Sequence, residues 1–194
     1  LQNNIQADNT TLTQAAGHTI RGNGKLLANT GGMINNGTII QEGVATMSID
    51  PDGLGFTNQG TMQATGTGGF TFGAGTFTNT GQTIEIQNGS KLDLISGVTI
   101  DGGTLQTTGT GTINQINNGG ATLNNVTIEG TVTQGNAADT TITGGLTNNG
   151  MWNLNSTSSS TDLTFNGGIT LSGTGSIVMS DPQVSRTISK LTIL

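Results

Sequence analysis

The feature that most restricts what this chain can fold into is a repeat. A short marker returns along most of its 194 residues: Asn or Asp, usually a Gly soon after, then an apolar residue. Copies begin at Asn35, Asn58, Asn79, Asp101, Asn124, Asn148 and Asn166, at nearly even intervals. A second marker, Gly-x-Gly-x-apolar, begins at Gly22, Gly66, Gly109 and Gly173. Gly22 precedes Asn35 by the same interval as Gly66 precedes Asn79, and Gly109 stands only slightly farther ahead of Asn124. Two markers in one phase argue for a single unit of about 22 residues used repeatedly. A unit this short, built from brief strands and turns, is one coil of a parallel β-solenoid. The rival arrangement is an antiparallel sandwich with hairpins at Asn36-Gly37 and Asn149-Gly150. It leaves the shared phase unexplained. The predicted fold is therefore all-β, with residues 1–181 forming one solenoid domain of about eight coils. At roughly 4.8 Å per coil the rod would be about 40 Å long.

Composition agrees with the repeat. Charged residues are 8% of the chain and hydrophobic residues 31%, while Gly contributes 33 positions. Good helix formers are scarce, and the abundant Thr, Ile and Val favour pleated surfaces because their branched Cβ restricts χ1. Gly and Asn suit turns because they tolerate positive φ. Strand pieces alternate: in Thr83-Ile84-Glu85-Ile86-Gln87 the isoleucines point inward and Glu85 and Gln87 outward. The Ser-rich stretch 156–161 reads as a loop projecting from one coil. After Asp181-Pro182 the character changes, with Arg186 and Lys190 among apolar residues and no glycine. Residues 182–194 read as a C-terminal cap, a further coil or an assembly strand.

The inventory of reactive groups excludes several functions. Net charge is −6 and the five basic residues are dispersed, so there is no stripe to displace counterions from nucleic acid or to meet an anionic membrane. No apolar run approaches the roughly 20 residues that span a bilayer, which argues against direct membrane insertion. The absence of cysteine removes disulfides and Cys-ligated metals. His18 is the sole histidine, so a two-histidine zinc site cannot be assembled, and its remoteness in the repeat from Ser156–Ser160 argues against a serine triad; it reads as a solvent-facing strand residue. The Gly-x-Gly copies lack the strand-then-helix context of a phosphate cradle and read as turn glycines.

Carboxylates carry the remaining chemistry. Asp50, Asp93 and Asp139 each lie eight or nine residues ahead of an Asn-type marker, which in a fixed register would line one edge of the rod. With Asp52, in Asp50-Pro51-Asp52-Gly53, they are candidate calcium ligands, since stacked carboxylates repel unless a cation screens them. The competing reading has each Asp forming a turn through its own side chain. The pairs Thr65-Gly66-Thr67, Thr108-Gly109-Thr110, Thr131-Val132-Thr133 and Thr141-Ile142-Thr143 do not recur at one coil position. They read as outward strand residues, not as a flat array that could bind ice.

The stretch from Ile20-Arg21-Gly22-Asn23-Gly24-Lys25-Leu26 to Gly31-Gly32-Met33-Ile34-Asn35-Asn36-Gly37-Thr38-Ile39 resembles bacterial secreted β-helix proteins. Autotransporter passengers and filamentous-haemagglutinin-like adhesins are similar in their Gly-, Asn- and Thr-rich coils and near absence of cysteine. The likeness covers about residues 10–180 and specifies a style of coil. It implies a right-handed parallel β-helix exported to the surface of a bacterium or beyond, and it carries over no active-site residues.

The expected function is a non-catalytic extracellular module, a stiff adhesive or structural rod. Its partners would be a host or neighbouring-cell surface, polysaccharide or matrix, and no cofactor is needed unless calcium binds. Two other classes fit a solenoid: a filament subunit that self-associates end to end, and a polysaccharide-cleaving β-helix enzyme with clustered acids and exposed aromatics.

Overall fold

The computed structural model describes residues 3–116 and 120–180, and among them every regular element is a β-strand. Successive segments wind in the same direction, each lying parallel on the one before, in about eight turns of a β-solenoid. The first ladder holds nine strands, from Asn4–Ile5 to Ser176–Ser180. The second runs from Thr11–Gln14 to Asp162–Phe165, and the third from Thr19–Gly22 to Leu171–Ser172. Two ten-residue strands, Gly120–Glu129 and Asp139–Asn148, pass from the second ladder into the third without a break.

Alternation within each short strand creates the core. The second ladder stacks Met33, Phe56, Phe77, Ile100, Leu123 and Ile142 on consecutive coils. The third stacks Ile39, Met62, Ile84, Leu105 and Ile128. Met47, Phe70, Leu92, Ile113, Val132 and Trp152 do the same in the first. None of these side chains is more than 3% exposed. Ile84 and Ile86 are buried as the alternation predicts, and Glu85 and Gln87 lie on the outer side. In the middle coils the rings of Phe72 and Phe77 stack across the core with centroids 4.2 Å apart, and Phe56 lies 5.6 Å from Phe77. Aromatic contact of this kind adds to burial alone.

The corners explain the two sequence markers differently. All four Gly-x-Gly copies fall at one corner, between a third-ladder strand and the next first-ladder strand. Backbones approach closely there: a Cβ on Gly150 would collide with the Gly130 carbonyl oxygen, and one on Gly175 with that of Gly150. Only glycine permits such stacking. The Asn-type marker does not keep to one place. Asn35, Asn58 and Asn79 occupy the corner between the second and third ladders, whereas Asn148 lies at the Gly-x-Gly corner. Coil length varies too. The coil that joins the first-ladder partners Gln115 and Gln134 is short, and the one that joins Leu154 and Met179 is long. The long coil contains the Ser-rich segment 156–161, a largely exposed loop as predicted. Its amides Thr157, Ser158 and Ser159 all donate to Asn136 Oδ1 in the coil below.

Glutamine serves a recurrent closing role. Gln14, Gln41 and Gln134 end strands with buried side chains, and each Nε2 donates to the carbonyl four residues on, at His18, Ala45 and Ala138. Gln134 Oε1 accepts from the buried Trp152 indole at 3.2 Å. Residues 181–194, which hold Asp181 and the expected cap or assembly strand, lie outside the described residues.

Candidate binding faces

The candidate calcium ligands are dispersed. Asp50 and Asp52 lie in the corner that follows the first-ladder strand Met47–Ile49. Asp52 Oδ1 accepts from the Leu54 amide at 2.8 Å, the side-chain turn that Asp forms unaided. The Asp50 carboxyl packs where Gly73 leaves room, since a Cβ on Gly73 would overlap Asp50 Oδ1. Burial pushes its pKa above the ordinary aspartate value, and Lys25 opposes that rise. Asp93 stands on the outer side of the first ladder, 5% exposed, bonded by Lys91 Nζ at 2.5 Å and Asn114 Nδ2 at 2.8 Å. Asp139 opens a second-ladder segment and pairs across coils with Asp162.

The four candidates therefore do not share the acidic edge that a constant offset predicts. Coil length varies and the Asn markers occupy different corners, so equal spacing in sequence does not become equal position in space. Among the described residues no three His, Asp or Glu side chains converge on a point that could hold an ion. His18 is exposed at the corner just before the strand Thr19–Gly22, where its carbonyl accepts from Gln14.

Phe56, Phe70, Phe72, Phe77 and Trp152 are core residues and Phe165 is partly buried, so none of the six stands out on a face as a platform for sugar rings. The surface is correspondingly shallow. An open depression of about 340 Å³ on the third face is lined by Thr61, Gln63, Gln82, Glu85 and Gln106 among others.

What the solenoid offers instead is columns of like side chains, one rung per coil. On the third face Thr19, Thr38, Thr61, Thr83, Thr104, Thr127, Thr147 and Ser172 form one column. Beside it run Arg21, Ile40, Gln63, Glu85, Gln106 and Glu129. That second column is bonded within itself: Gln63 donates to Glu85 at 2.8 Å and Gln106 to Glu129 at 3.1 Å. Arg21 pairs with Glu42, which holds the Glu42 carboxyl below its usual pKa.

The second face is built from shorter side chains. One column there is Thr76, Thr99, Thr122, Thr141 and Thr164. Two residues along each strand, the neighbouring column is Thr78, Asp101, Asn124, Thr143 and, by continuation of the same register, Asn166. Asn124 Nδ2 donates to Asp101 Oδ1 at 2.8 Å, fixing both side chains along the column. Earlier coils break the pattern with Gly32 and Ile34 and with Gly55 and Thr57 at the same positions.

Of the four Thr-x-Thr pairs singled out in the sequence, only Thr141 and Thr143 belong to this array: Thr131 and Thr133 are on a first-ladder strand, while Thr65-Gly66-Thr67 and Thr108-Gly109-Thr110 share the Gly-x-Gly corner and are turn residues, not the expected strand residues. The array is carried by rungs of the form Thr-x-Thr, Thr-x-Asp and Thr-x-Asn, which begin at Thr76, Thr99, Thr122, Thr141 and Thr164. Grouping Asp and Asn with Thr at the second position exposes it in the sequence.

Comparison with protein-family models, with curated proteins and with solved structures found no match to this chain.

Proposed function

We propose that this chain is a non-catalytic structural and adhesive module, a stiff rod working outside the cell against polysaccharide, matrix or another cell's surface. The observation that supports the reading is the pairing of a fully filled core with continuous polar columns along the rod. Interior volume is given to packing and no deep cavity is left for a small substrate among the described residues. The outer side chains repeat every coil, so any one contact is weak and affinity comes from many rungs or many copies acting together. Export and display follow the resemblance to secreted β-helix proteins.

The test couples the full chain to beads at high density and measures retention under flow on surfaces coated with polysaccharide or matrix glycoprotein. Beads should hold at least a hundredfold better than the soluble monomer. Release of soluble sugar from the coating would instead establish the enzymatic class. A second reading, end-to-end filament assembly, draws on Leu171 and Met179 in the last described coil, which are 46% and 60% exposed. Sedimentation that stays monomeric across concentration removes it.

A further inference from the structure

The second face has a property that general adhesion does not require: it is a two-dimensional lattice of short, stiff side chains. Rungs repeat at about 4.8 Å along the rod, and the two outward positions of each rung are about 6.6 Å apart along the strand. Over the five rungs from Thr76-Phe77-Thr78 to Thr164-Phe165-Asn166 the register is unbroken and parallel. These two repeats are close to those between water oxygens on the prism faces of hexagonal ice. We propose that this face binds ice, with the lattice of water itself as the ligand.

The chemistry of the columns suits that ligand. Each Thr offers a hydroxyl that can take a lattice site as donor or acceptor, and a methyl that does not hold liquid water against freezing. Its branched Cβ limits χ1, so little rotamer freedom is lost on binding. The Asn124–Asp101 bond immobilises two of the remaining rungs, and side-chain ladders of this kind keep stacked strands flat. Ice carries no net charge, and Asp101 is the single charged residue in the two columns, its carboxylate already engaged by Asn124.

The third face supplies the contrast within the same molecule. It has a longer Thr column, but the column beside it carries Arg21, Glu85 and Glu129, long charged side chains that bind liquid water. The inference goes beyond the adhesive reading and does not depend on it, because it needs only the five rungs.

The experiment uses the purified full chain in a nanolitre osmometer, together with its partition into a slowly growing ice front. The wild-type protein should facet ice crystals, open a gap between melting and freezing that grows with concentration, and be enriched in the ice. Thr122→Tyr, in the middle of the array, should reduce the gap at least tenfold, and Thr99→Lys should do the same. Thr104→Tyr, on the third face, should leave it within twofold. Far-UV circular dichroism and thermal unfolding identify which variants retain the fold, and either second-face variant suffices. A wild-type protein that neither shapes ice nor enters it overturns the proposal. So does equal loss from the second-face and third-face variants, or retention on crystalline cellulose or chitin without any effect on ice.

Discussion

The corner between the second and third ladders is built in two ways within one rod. In the first four coils its position is held by Gln14, Asn35, Asn58 and Asn79, all turned inward and no more than 4% exposed. In the next four it is held by Gly102, Asn125, Gly144 and Gly167, every one at positive φ. The early corners use side chains, with left-handed Gly17 and Gly81 assisting beside Gln14 and Asn79. Asn35 Nδ2 donates to Asn58 Oδ1, and Asn58 Nδ2 to Asn79 Oδ1, each at 2.8 Å, while Asn79 Nδ2 closes on the Gln82 carbonyl at 3.0 Å. The later corners use the backbone, turning the chain at one left-handed residue, or at two in Gly102-Gly103. Gly120–Glu129 and Asp139–Asn148 continue through the bend at Asn125 and Gly144 as single strands, whereas the strands Val98–Asp101 and Asp162–Phe165 stop at Gly102 and short of Gly167. A corner has to redirect the chain and leave no buried polar group unpaired. From Asn35 to Asn79 the amide ladder meets both needs at the cost of a polar stack in the core, while in the first coil the Gln14 Oε1 stays without a partner; a left-handed residue redirects the chain without such a stack.

The sharpest way to break the comparison is one substitution made at two sites of the same column. Asn58→Leu orphans Asn79 Oδ1 and the Gly60 amide, both inside the corner. Buried groups left unpaired cost about 1–3 kcal/mol each, so stability should fall by about 3 kcal/mol in urea unfolding. Asn125→Leu removes no buried partner. It places a bulky residue at φ 53°, a conformation that costs an L side chain about 1–2 kcal/mol. A loss at position 125 equal to that at position 58 would show that the two corners are energetically the same.

Gly102→Ala should come next, at about 2 kcal/mol, because positive φ alone costs about 1–2 kcal/mol. The added Cβ would also meet Thr80 Oγ1 at 2.6 Å. Gly144→Ala should cost about as much, because room for its Cβ displaces the Asn124 and Asn125 side-chain oxygens and disturbs the bonds these residues make to Asp101 and the Gly145 amide. Asn125→Gly should change stability by only a few tenths of a kcal/mol, since glycine adopts the conformation freely and the bond lost, to the Gly145 amide, is exposed. The ordering of these variants, read from thermal midpoints, is the measurement that matters.

The same contrast shows which parts of the molecule are legible in the sequence. Backbone repetition is, because strand alternation and tight glycine corners leave marks that insertions do not erase: Gly22, Gly66, Gly109 and Gly173 all reach one corner. The acidic edge is not. Asp50, Asp93 and Asp139 share an offset from markers that themselves sit at different corners, and coils of unequal length turn that offset into different positions. The Asn ladder is half legible. Asn35, Asn58 and Asn79 stand out as markers, but whether an Asn turns inward to bond its neighbour or bends the chain depends on how many residues the corner has to contain. The Thr columns of the second face stay hidden from a search for Thr pairs alone, because Asp101, Asn124 and Asn166 occupy three of their rungs.

The smallest expected effect concerns charge. The bonded amides and the left-handed residues of these corners are not ionisable, so their own contribution to stability should not vary with pH. Asp50, at the corner between the first and second ladders, differs: burial raises its folded-state pKa above the unfolded value, and Lys25 only partly offsets this. An acid with a raised folded pKa binds its proton more tightly when folded, so folding is favoured in acid, below the unfolded value. That advantage is lost as pH rises through the raised folded pKa, above which the folded state carries a partly desolvated carboxylate. Asp50→Asn keeps the shape and removes the charge. It should match the wild type in stability at acid pH, where both side chains are neutral, and exceed it modestly at neutral pH. Paired urea titrations at the two pH values measure the difference. A wild-type protein that instead gains on the variant as pH rises would mean that attraction to Lys25 outweighs burial, and the Asp50 corner would then be stabilised by its charge.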